Sequence, residues 1–456
     1  MGRLVIVSNR VASITPGKAS TGGLAVGIGD VLRRAGGLWF GWNGETSAQS
    51  PEAPDITEHG NITLATIGLS RRDYEQYYLG FSNNVLWPAF HYRCDLIRYQ
   101  REEYQGYQRA NRWLAEKLLP LLLPDDVIWI HDYHLIPMGE ALRALGVRNR
   151  IGFFLHIPFP TQPVLTTIPP SSDLLRALSH YDLVGLQTPN DRQAFVDCMT
   201  REAGATELDA DHLQLDGRTV RAGVYPISVY PDEIDDHART TISRRHTRRL
   251  RQSLQDRKLI ISVDRLDYSK GQFERFRAFE CLLEIEPTHR NTLTMVQIAP
   301  LSRSDLKTYQ NIRHHLEGEA GRINGRFGDI EWTPIRYINR NHEHNTLMSF
   351  FRGAQVGLVT PLRDGMNLVA KEYVAAQHAD DPGVLVLSRF AGAAAEMDGA
   401  LLVNPYDTLG MAETMHRALT MHKDERRERH SSMLQQLKKH DLGAWWRSFL
   451  TDLGAG

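Results

Sequence analysis

Two stretches of the chain place charged residues at intervals that suit an anion. SVDRLDYSKG over 262–271 closes an apolar run with Arg265, Lys270 and Gly271, and VTPLRDGMNLVAKEY over 359–373 closes another with Arg363, Asp364 and Gly365 ahead of a helical pattern. Arginine supplies a planar fork of N–H donors and lysine a compact point charge, so Arg265 and Lys270, about one turn apart, suit a diphosphate. The competing reading is a surface ion pair with Asp264 or Asp267. A helix beginning near Asn367 would turn its unpaired N–H groups and positive dipole end to the same anion.

Other stretches offer different chemistry. IWIHDYHLIP and FFLHIPFP set His131, Asp132, His134 and His156 at the ends of apolar runs. The HxxH pair lacks a third ligand at a convincing spacing, which disfavours zinc. Asp132 and His156 suit neutral sugar hydroxyls, which are recognised by a few placed donors and acceptors in a mostly apolar pocket. STGGLAVGIGDVL sets Gly22 and Gly23 ahead of an apolar helical pattern, downstream of a strand ending in Ser8, Asn9 and Arg10. It does not match GxGxxG, so a nicotinamide site is disfavoured, and a tight turn and a ligand cradle both remain open. The DAD triplet at Asp209–Asp211 reads as a surface turn before a hairpin with an Asp216-Gly217 turn, not as a metal-binding carboxylate pair. Aromatic residues crowd GGLWFGWNG and YEQYYLGFSNNVLWPAFHY, as core or as a loop-borne platform for the apolar face of a sugar.

These residues need strands to hold them. Short β-branched runs alternate with longer helical patterns: RLVIVSNR, DDVIWIHDYH, RIGFFLHIPFP, YDLVGLQT, LIISVDRLDYSKG, LTMVQIAP, VGLVTPLRDG, GVLVLSRFAG and ALLVNPYD. Such alternation predicts an α/β fold with parallel sheets built from βαβ units, and polar residues gathered at strand ends predict a ligand crevice there. At 456 residues the chain exceeds one ordinary core, so two domains with a cleft are expected. A seam is expected between Ile227 and Lys258, where the charge-rich stretch 231–258 reads as a helical connector into the second sheet and its RRHTRRLR run as a solvated helix face.

Composition narrows the classes. With 53 basic and 54 acidic side chains and 42% hydrophobic residues, the chain reads as a soluble globular protein and not a nucleic-acid binder. Cys94, Cys198 and Cys281 give no disulfide framework and no CxxC spacing, as suits a reducing cytoplasm. MGRLVIVSNR has no secretory pattern, and no run approaches the ~18 apolar residues of a membrane span.

Taken together, VSNR, GGLAVG, GGLWFGWNGE, WPAFHY, IWIHDYHL, GFFLHIPFP, DRLDYSKG, GRING and VTPLRDGMNLVAKEYVAAQ resemble the trehalose-6-phosphate synthases of glycosyltransferase family 20, in order over nearly the whole chain. The resemblance implies a GT-B fold, two Rossmann-like domains facing across a cleft: 1–240 for the acceptor, 241–440 for the nucleotide sugar, and a terminal helix over 441–456 packing back towards the first. It implies transfer of glucose from UDP-glucose to glucose 6-phosphate with retention, by front-face attack, with no metal or other cofactor, in the cytoplasm. Partners would be those small molecules, with neither nucleic acid nor membrane, and a dimer or tetramer is compatible. ADP- or GDP-glucose, another phosphorylated acceptor, or a non-catalytic regulatory homologue are the alternatives.

The implied roles fall on particular residues. Gly22 and Gly23 resemble the donor-side loop, and Arg265 and Lys270 the diphosphate clamp. Asp364 and the backbone of Gly365, Met366, Asn367, Leu368 and Val369 resemble the contacts to the donor, with Glu372 on the ribose and His342 near the base. His156 resembles the residue beside the transferred glucose. Arg10, Tyr78, Trp87, Asp132 and Arg303 resemble the acceptor site, its two arginines facing the phosphate. The chain departs from the family at SVYPDE over 228–233 and at His342, where relatives carry an aromatic. No DxDGT phosphatase signature is present.

Overall fold

A computed structural model describes residues 2–12, 23–240, 248–250, 252–301 and 307–454. The chain divides into two compact units, Met1–Pro226 with Gly443–Gly456, and Ile227–Leu442.

In the first unit, β1 (Leu4–Arg10) lies between β2 (Gly37–Ser47) and β5 (Val127–His131), both parallel to it. The sheet continues on one side through β4 (Ile62–Ser70) to β3 (Asp55–His59). On the other it runs through β6 (Arg150–Phe154), β7 (Leu183–Leu186) and β10 (Arg218–Val224) to β9 (His212–Leu215) and β8 (Thr206–Glu207). Only the outer pairs β3–β4, β8–β9 and β9–β10 are antiparallel. The central strands are apolar along their length because helices cover both faces of a parallel sheet. The β9–β10 hairpin turns at Asp216 and Gly217, both at positive φ.

The terminal helix Leu442–Asp452 belongs mainly to this unit. Phe449 stacks on Trp129 of β5 at 4.7 Å between ring centroids, and Tyr225 Oη donates to Asp452 Oδ2 at 2.6 Å. A Cβ on Gly152 or Gly185 would come within 2.7 Å of the Phe449 ring, so those strands admit the helix only through glycine.

The second unit holds a wholly parallel sheet in the order β13 (Ile335–Ile338), β12 (Leu293–Ile298), β11 (Lys258–Val263), β14 (Val356–Val359), β15 (Val384–Ser388), β16 (Leu401–Val403). The units divide at Pro226/Ile227, at the near edge of the Ile227–Lys258 seam expected from composition and ahead of the 240/241 boundary that the resemblance implies. The stretch 227–240 joins the second unit because helix Pro231–Arg239 packs there, where Arg352 Nη1 donates to Asp235 Oδ1 at 2.8 Å. Charge marked the helix surface, whereas the chain crosses earlier, at Pro226.

Of the two readings of the aromatic stretches, core and loop-borne platform, burial favours core for most of their rings. GGLWFGWNG lies largely in β2, and Tyr74–Leu86 winds as a π-helix that continues into helix Trp87–Phe90, the Trp87 N–H reaching the Ser82 carbonyl five residues back. Long π-helical runs are rare and occur most often at functional sites.

Candidate active site

Inside each sheet's parallel portion strand order reverses between β1 and β5 in the first unit and between β11 and β14 in the second. These are the switch points at which open α/β sheets bind ligands, and Arg10, Asp132, Arg265, Lys270 and Asp364 lie at or just beyond the carboxyl ends of their strands.

In the second unit, β11 leads into a loop that ends in the 3-10 turn Tyr268–Lys270, capped by the Asp267 carboxylate, which accepts from the Ser269 N–H at 3.0 Å. Gly271 follows in the left-handed conformation (φ 63°) and starts helix Gln272–Ile285. A Cβ there would lie 2.2 Å from the Thr360 carbonyl oxygen, so glycine alone lets this loop approach the one after β14. The Leu362 N–H donates to the Ser269 carbonyl at 2.8 Å, joining the two loops.

Across that junction Lys270 Nζ meets Asp364 Oδ2 at 2.5 Å, both side chains 13% exposed. Asn367 Nδ2 donates to the same carboxylate oxygen at 2.9 Å. Asn367 sits at φ 78°, tolerated by asparagine, and its Oδ1 accepts from the Ala370 N–H at 3.3 Å, capping helix Leu368–Ala376. The backbone over 364–366 is held from the next loop: Gly392 N donates to Asp364 O at 3.1 Å and Ala393 N to Met366 O at 2.8 Å. A Cβ on Gly392 would fall 1.9 Å from Gly365 O.

Arg265 is exposed, its Nε 3.9 Å from Asp267 Oδ2, a loose approach beside the contacts Asp267 makes to Ser269 and to Tyr309 Oη at 2.9 Å. Arg265 thus makes the Asp267 pair of the competing reading, at long range, whereas Lys270 pairs with Asp364 instead of Asp264 or Asp267. Glu372 lies one turn into the helix, 3.9 Å from His344 Nδ1, and burial pushes its carboxyl above the usual range. Its neighbour Lys371 is fully enclosed, paired with Glu396 at 2.6 Å and donating to the Ile227 carbonyl at 2.8 Å; burial pulls its pKa down. His342 meets the Phe350 ring edge-on at 5.7 Å.

In the first unit, β1 ends in exposed Arg10, whose guanidinium lies 5.8 Å from the Trp42 ring centre. Asn9 Oδ1 accepts from Tyr77 Oη at 2.7 Å, fixing the π-helix against the strand end. Tyr78 on that π-helix stacks on His134 (5.8 Å, 11°) and touches Trp42 and Tyr74 at 5.4 and 5.5 Å. Trp87 is 4% exposed against His91 and Tyr133, so it is mainly core and offers little surface to a bound molecule.

Asp132, directly after β5, holds φ 77° and ψ 164°. Such a conformation costs about 1–3 kcal/mol and persists where surrounding contacts impose it, commonly at active sites. Here the Asp132 N–H donates to the Phe154 carbonyl at 2.8 Å and its Oδ1 accepts from the His156 N–H at 3.2 Å. His156 Nε2 shares a hydrogen bond with His131 Nδ1 at 3.0 Å, beside Phe154 and Trp445. Burial lowers His156 from 6.5 to about 3 and holds His131 well below its ordinary range, so both rings are neutral near pH 7.

The structure thus brings Arg10 and Tyr78 together around Trp42, Asp132 with His156, and Lys270 with Asp364 and Asn367. Gly23 opens helix Gly23–Ala35. Gly22 and Arg303 lie outside the described residues. His131 and His134 are committed to His156 and Tyr78, and the described residues include no group of three or more His, Cys, Asp or Glu placed to hold a metal. Asp209 caps its own turn, accepting from Asp211 N at 2.8 Å and His212 N at 2.9 Å, and Asp211 faces Arg192.

Two residues were not singled out from sequence. In sequence Trp42 is one ring among the many of GGLWFGWNG. Arg275 is wholly buried beneath the Lys270 loop, and its signal was an arginine on the apolar face of QFERFRAFECLLEI, in register with Phe279 and Leu282.

An α/β chain with two parallel-sheet units, each keeping its polar residues beside a switch point, has the GT-B architecture of nucleotide-sugar glycosyltransferases. Residues 5–455 match glycosyltransferase family 20, and the chain belongs to that family. It is 54% identical over 453 residues to a trehalose-6-phosphate synthase of Sodalis glossinidius, spanning 99% of this chain and 96% of that protein. Among solved structures, a UDP-forming α,α-trehalose-phosphate synthase from Burkholderia xenovorans in complex with glucose 6-phosphate is 55% identical, with a TM-score of 0.96 over 99% of this chain and 100% of that one. The Escherichia coli trehalose-6-phosphate synthase bound with UDP-2-fluoroglucose is 52% identical, with a TM-score of 0.94 over 99% of each chain.

Proposed function

We propose that the protein transfers glucose from UDP-glucose to glucose 6-phosphate with retention, giving α,α-trehalose 6-phosphate and UDP. The observation that carries this is the Lys270–Asp364 pair set against the Asn367-capped helix start, in a chain more than half identical, end to end, to synthases of that name. The second unit takes the donor: Arg265, Lys270 and the backbone from Gly365 to Val369 hold the diphosphate and glucosyl group, Glu372 the ribose, and His342 lies near the base. The first unit takes the acceptor through Arg10, Tyr78, Asp132 and the rim of Trp87. Gly22, Gly23 and Arg303 complete the assignment by resemblance, and His156 attends the transferred sugar.

As the bond between the sugar C1 and the β-phosphate oxygen breaks, charge grows on the leaving diphosphate. Arg265, Lys270 and the N–H groups at the helix start meet it, a kind of stabilisation worth about 3–4 kcal/mol per donor in other enzymes. The acceptor hydroxyl bonds to C1 on the same face and gives its proton to the departing phosphate oxygen. Asp364 is committed to Lys270 and Asn367, so it is poorly placed as a covalent nucleophile. Neutral His156 suits a sugar hydroxyl, which needs a donor or acceptor without charge.

The reaction as proposed needs no metal or other cofactor. It belongs in the cytoplasm, with small molecules as partners and neither nucleic acid nor membrane; among the described residues no helix is long and apolar enough to cross a membrane. A homo-oligomer fits the same reading. The test is a panel of UDP-, ADP-, GDP-, CDP- and TDP-glucose against glucose 6-phosphate, glycerol 3-phosphate and free glucose, reading released nucleotide and the anomeric configuration by NMR. UDP release with glucose 6-phosphate and an α,α product is expected, in EDTA as well as in magnesium. Preference for another base or acceptor overturns the substrate assignment.

A further inference from the structure

We infer that Arg275, which no step above uses, is the positioning residue that holds the Lys270 and Asp364 loops in their working geometry; the inference rests on the donor-site reading. Its guanidinium is wholly buried and distributes its donors over three neighbouring strand ends. Nη1 donates to Asp264 Oδ2 and Gln297 Oε1, both at 2.7 Å, Nε to Thr360 Oγ1 at 3.0 Å, and Nη2 to the Lys270 carbonyl at 3.1 Å. Asp264 follows β11, Gln297 is in β12 and Thr360 follows β14, so one side chain ties the strands on both sides of the switch point.

Only a planar fork reaches four acceptors in these directions; a lysine ammonium, a point charge with three donors on a flexible stem, does not. The arginine is itself placed by the loop it supports, its N–H donating to the carbonyl of Gly271, the glycine on which the approach to Thr360 depends. Lys270 is thereby gripped at both ends, its carbonyl by Arg275 and its ammonium by Asp364. A buried charge network beneath a catalytic loop has a bland alternative, that it serves stability alone. The two roles make different predictions, because replacing both members of a buried ion pair with apolar residues often leaves stability intact, whereas geometry lost at the strand ends is not returned by apolar packing.

The experiment compares the full-length wild type, Arg275→Lys and the double variant Arg275→Met/Asp264→Leu for melting temperature, steady-state kinetics and amide hydrogen exchange over 264–271 and 360–367. Arg275→Lys is expected to lower kcat on the order of 100-fold, as misplacement by about 1 Å does elsewhere. Its KM for glucose 6-phosphate should stay within about twofold, and exchange in both loops should quicken. The double variant is expected to melt near the wild type while kcat stays low. Recovery of kcat together with melting temperature overturns the inference, as does Arg275→Lys with wild-type kcat and unchanged exchange. Should the wild type fail to use UDP-glucose, the donor reading falls on that result alone, and loop exchange in the variants still decides the positioning role.

Discussion

The two switch points solve the same problem with opposite materials. In the second unit the strand ends are held by charge: Lys270 on Asp364, Arg275 on Asp264, and a helix start capped by Asn367. In the first they are held by rings: Tyr78 on His134, Trp42 beneath Arg10, and His131 against His156, Trp129 and Trp445. Diphosphate recognition demands fixed cations, whose desolvation is tolerable only where each has a partner. Sugar hydroxyls demand neutral groups on an apolar wall, and burial keeps the two histidines neutral. The difference teaches which half should fail by rate and which by affinity.

The largest effect is expected on the charged side. On the proposed donor assignment Lys270→Ala removes a cation that meets charge as the bond breaks, so kcat should fall about 100-fold while the KM for glucose 6-phosphate changes little. Unchanged kcat with a raised KM for UDP-glucose would make Lys270 a ground-state contact and blur the contrast. The next effect sharpens it from the other side. On the proposed acceptor assignment Arg10→Ala removes charge-assisted hydrogen bonds to the phosphate, about 1.5–3 kcal/mol, and should raise the KM for glucose 6-phosphate roughly tenfold to a hundredfold. Isothermal titration with UDP should find donor affinity nearly unchanged; loss of UDP binding would move Arg10 to the donor side.

Sequence served the two regions unequally. Strand ends that pass from apolar runs into Arg265, Lys270, Asp364 or Asp132 were legible because the βαβ pattern and its turn residues are local. The pairing of Lys270 with Asp364 was not, since it joins residues 94 positions apart through a contact set by strand order. Arg275 was hidden because a buried arginine on an apolar helix face looks, one-dimensionally, like an exposed one. Tyr74–Leu86 was left open between core and a loop-borne platform because π-helical spacing matches neither the 3.6 nor the 2.0 period on which pattern reading rests. The charge-rich seam located the unit boundary only to within 227–258, because charge does not show that the helix at its start packs an apolar face, Ile234 and Ala238, inside the second unit.

The smallest expected effect concerns the ringed side and its response to acid. His156 titrates at about 3 in the folded chain against an ordinary 6.5, because burial beside Phe154 and Trp445 disfavours the cation. Below pH 6.5 the unfolded chain takes up a proton there that the folded chain does not, so stability is full above 6.5 and is lost as pH falls from 6.5 towards 3. One unit below the unfolded value the loss is about 1.4 kcal/mol for a single such histidine. His131 shifts in the same direction for the same reason and adds to it. Urea midpoints at pH 7.5 and 5.5 measure the slope, and His156→Asn should flatten it by about one histidine's share. A slope that His156→Asn leaves unchanged would mean that the ring is protonated in the folded chain, and the contrast between a charged and a neutral switch point would not hold.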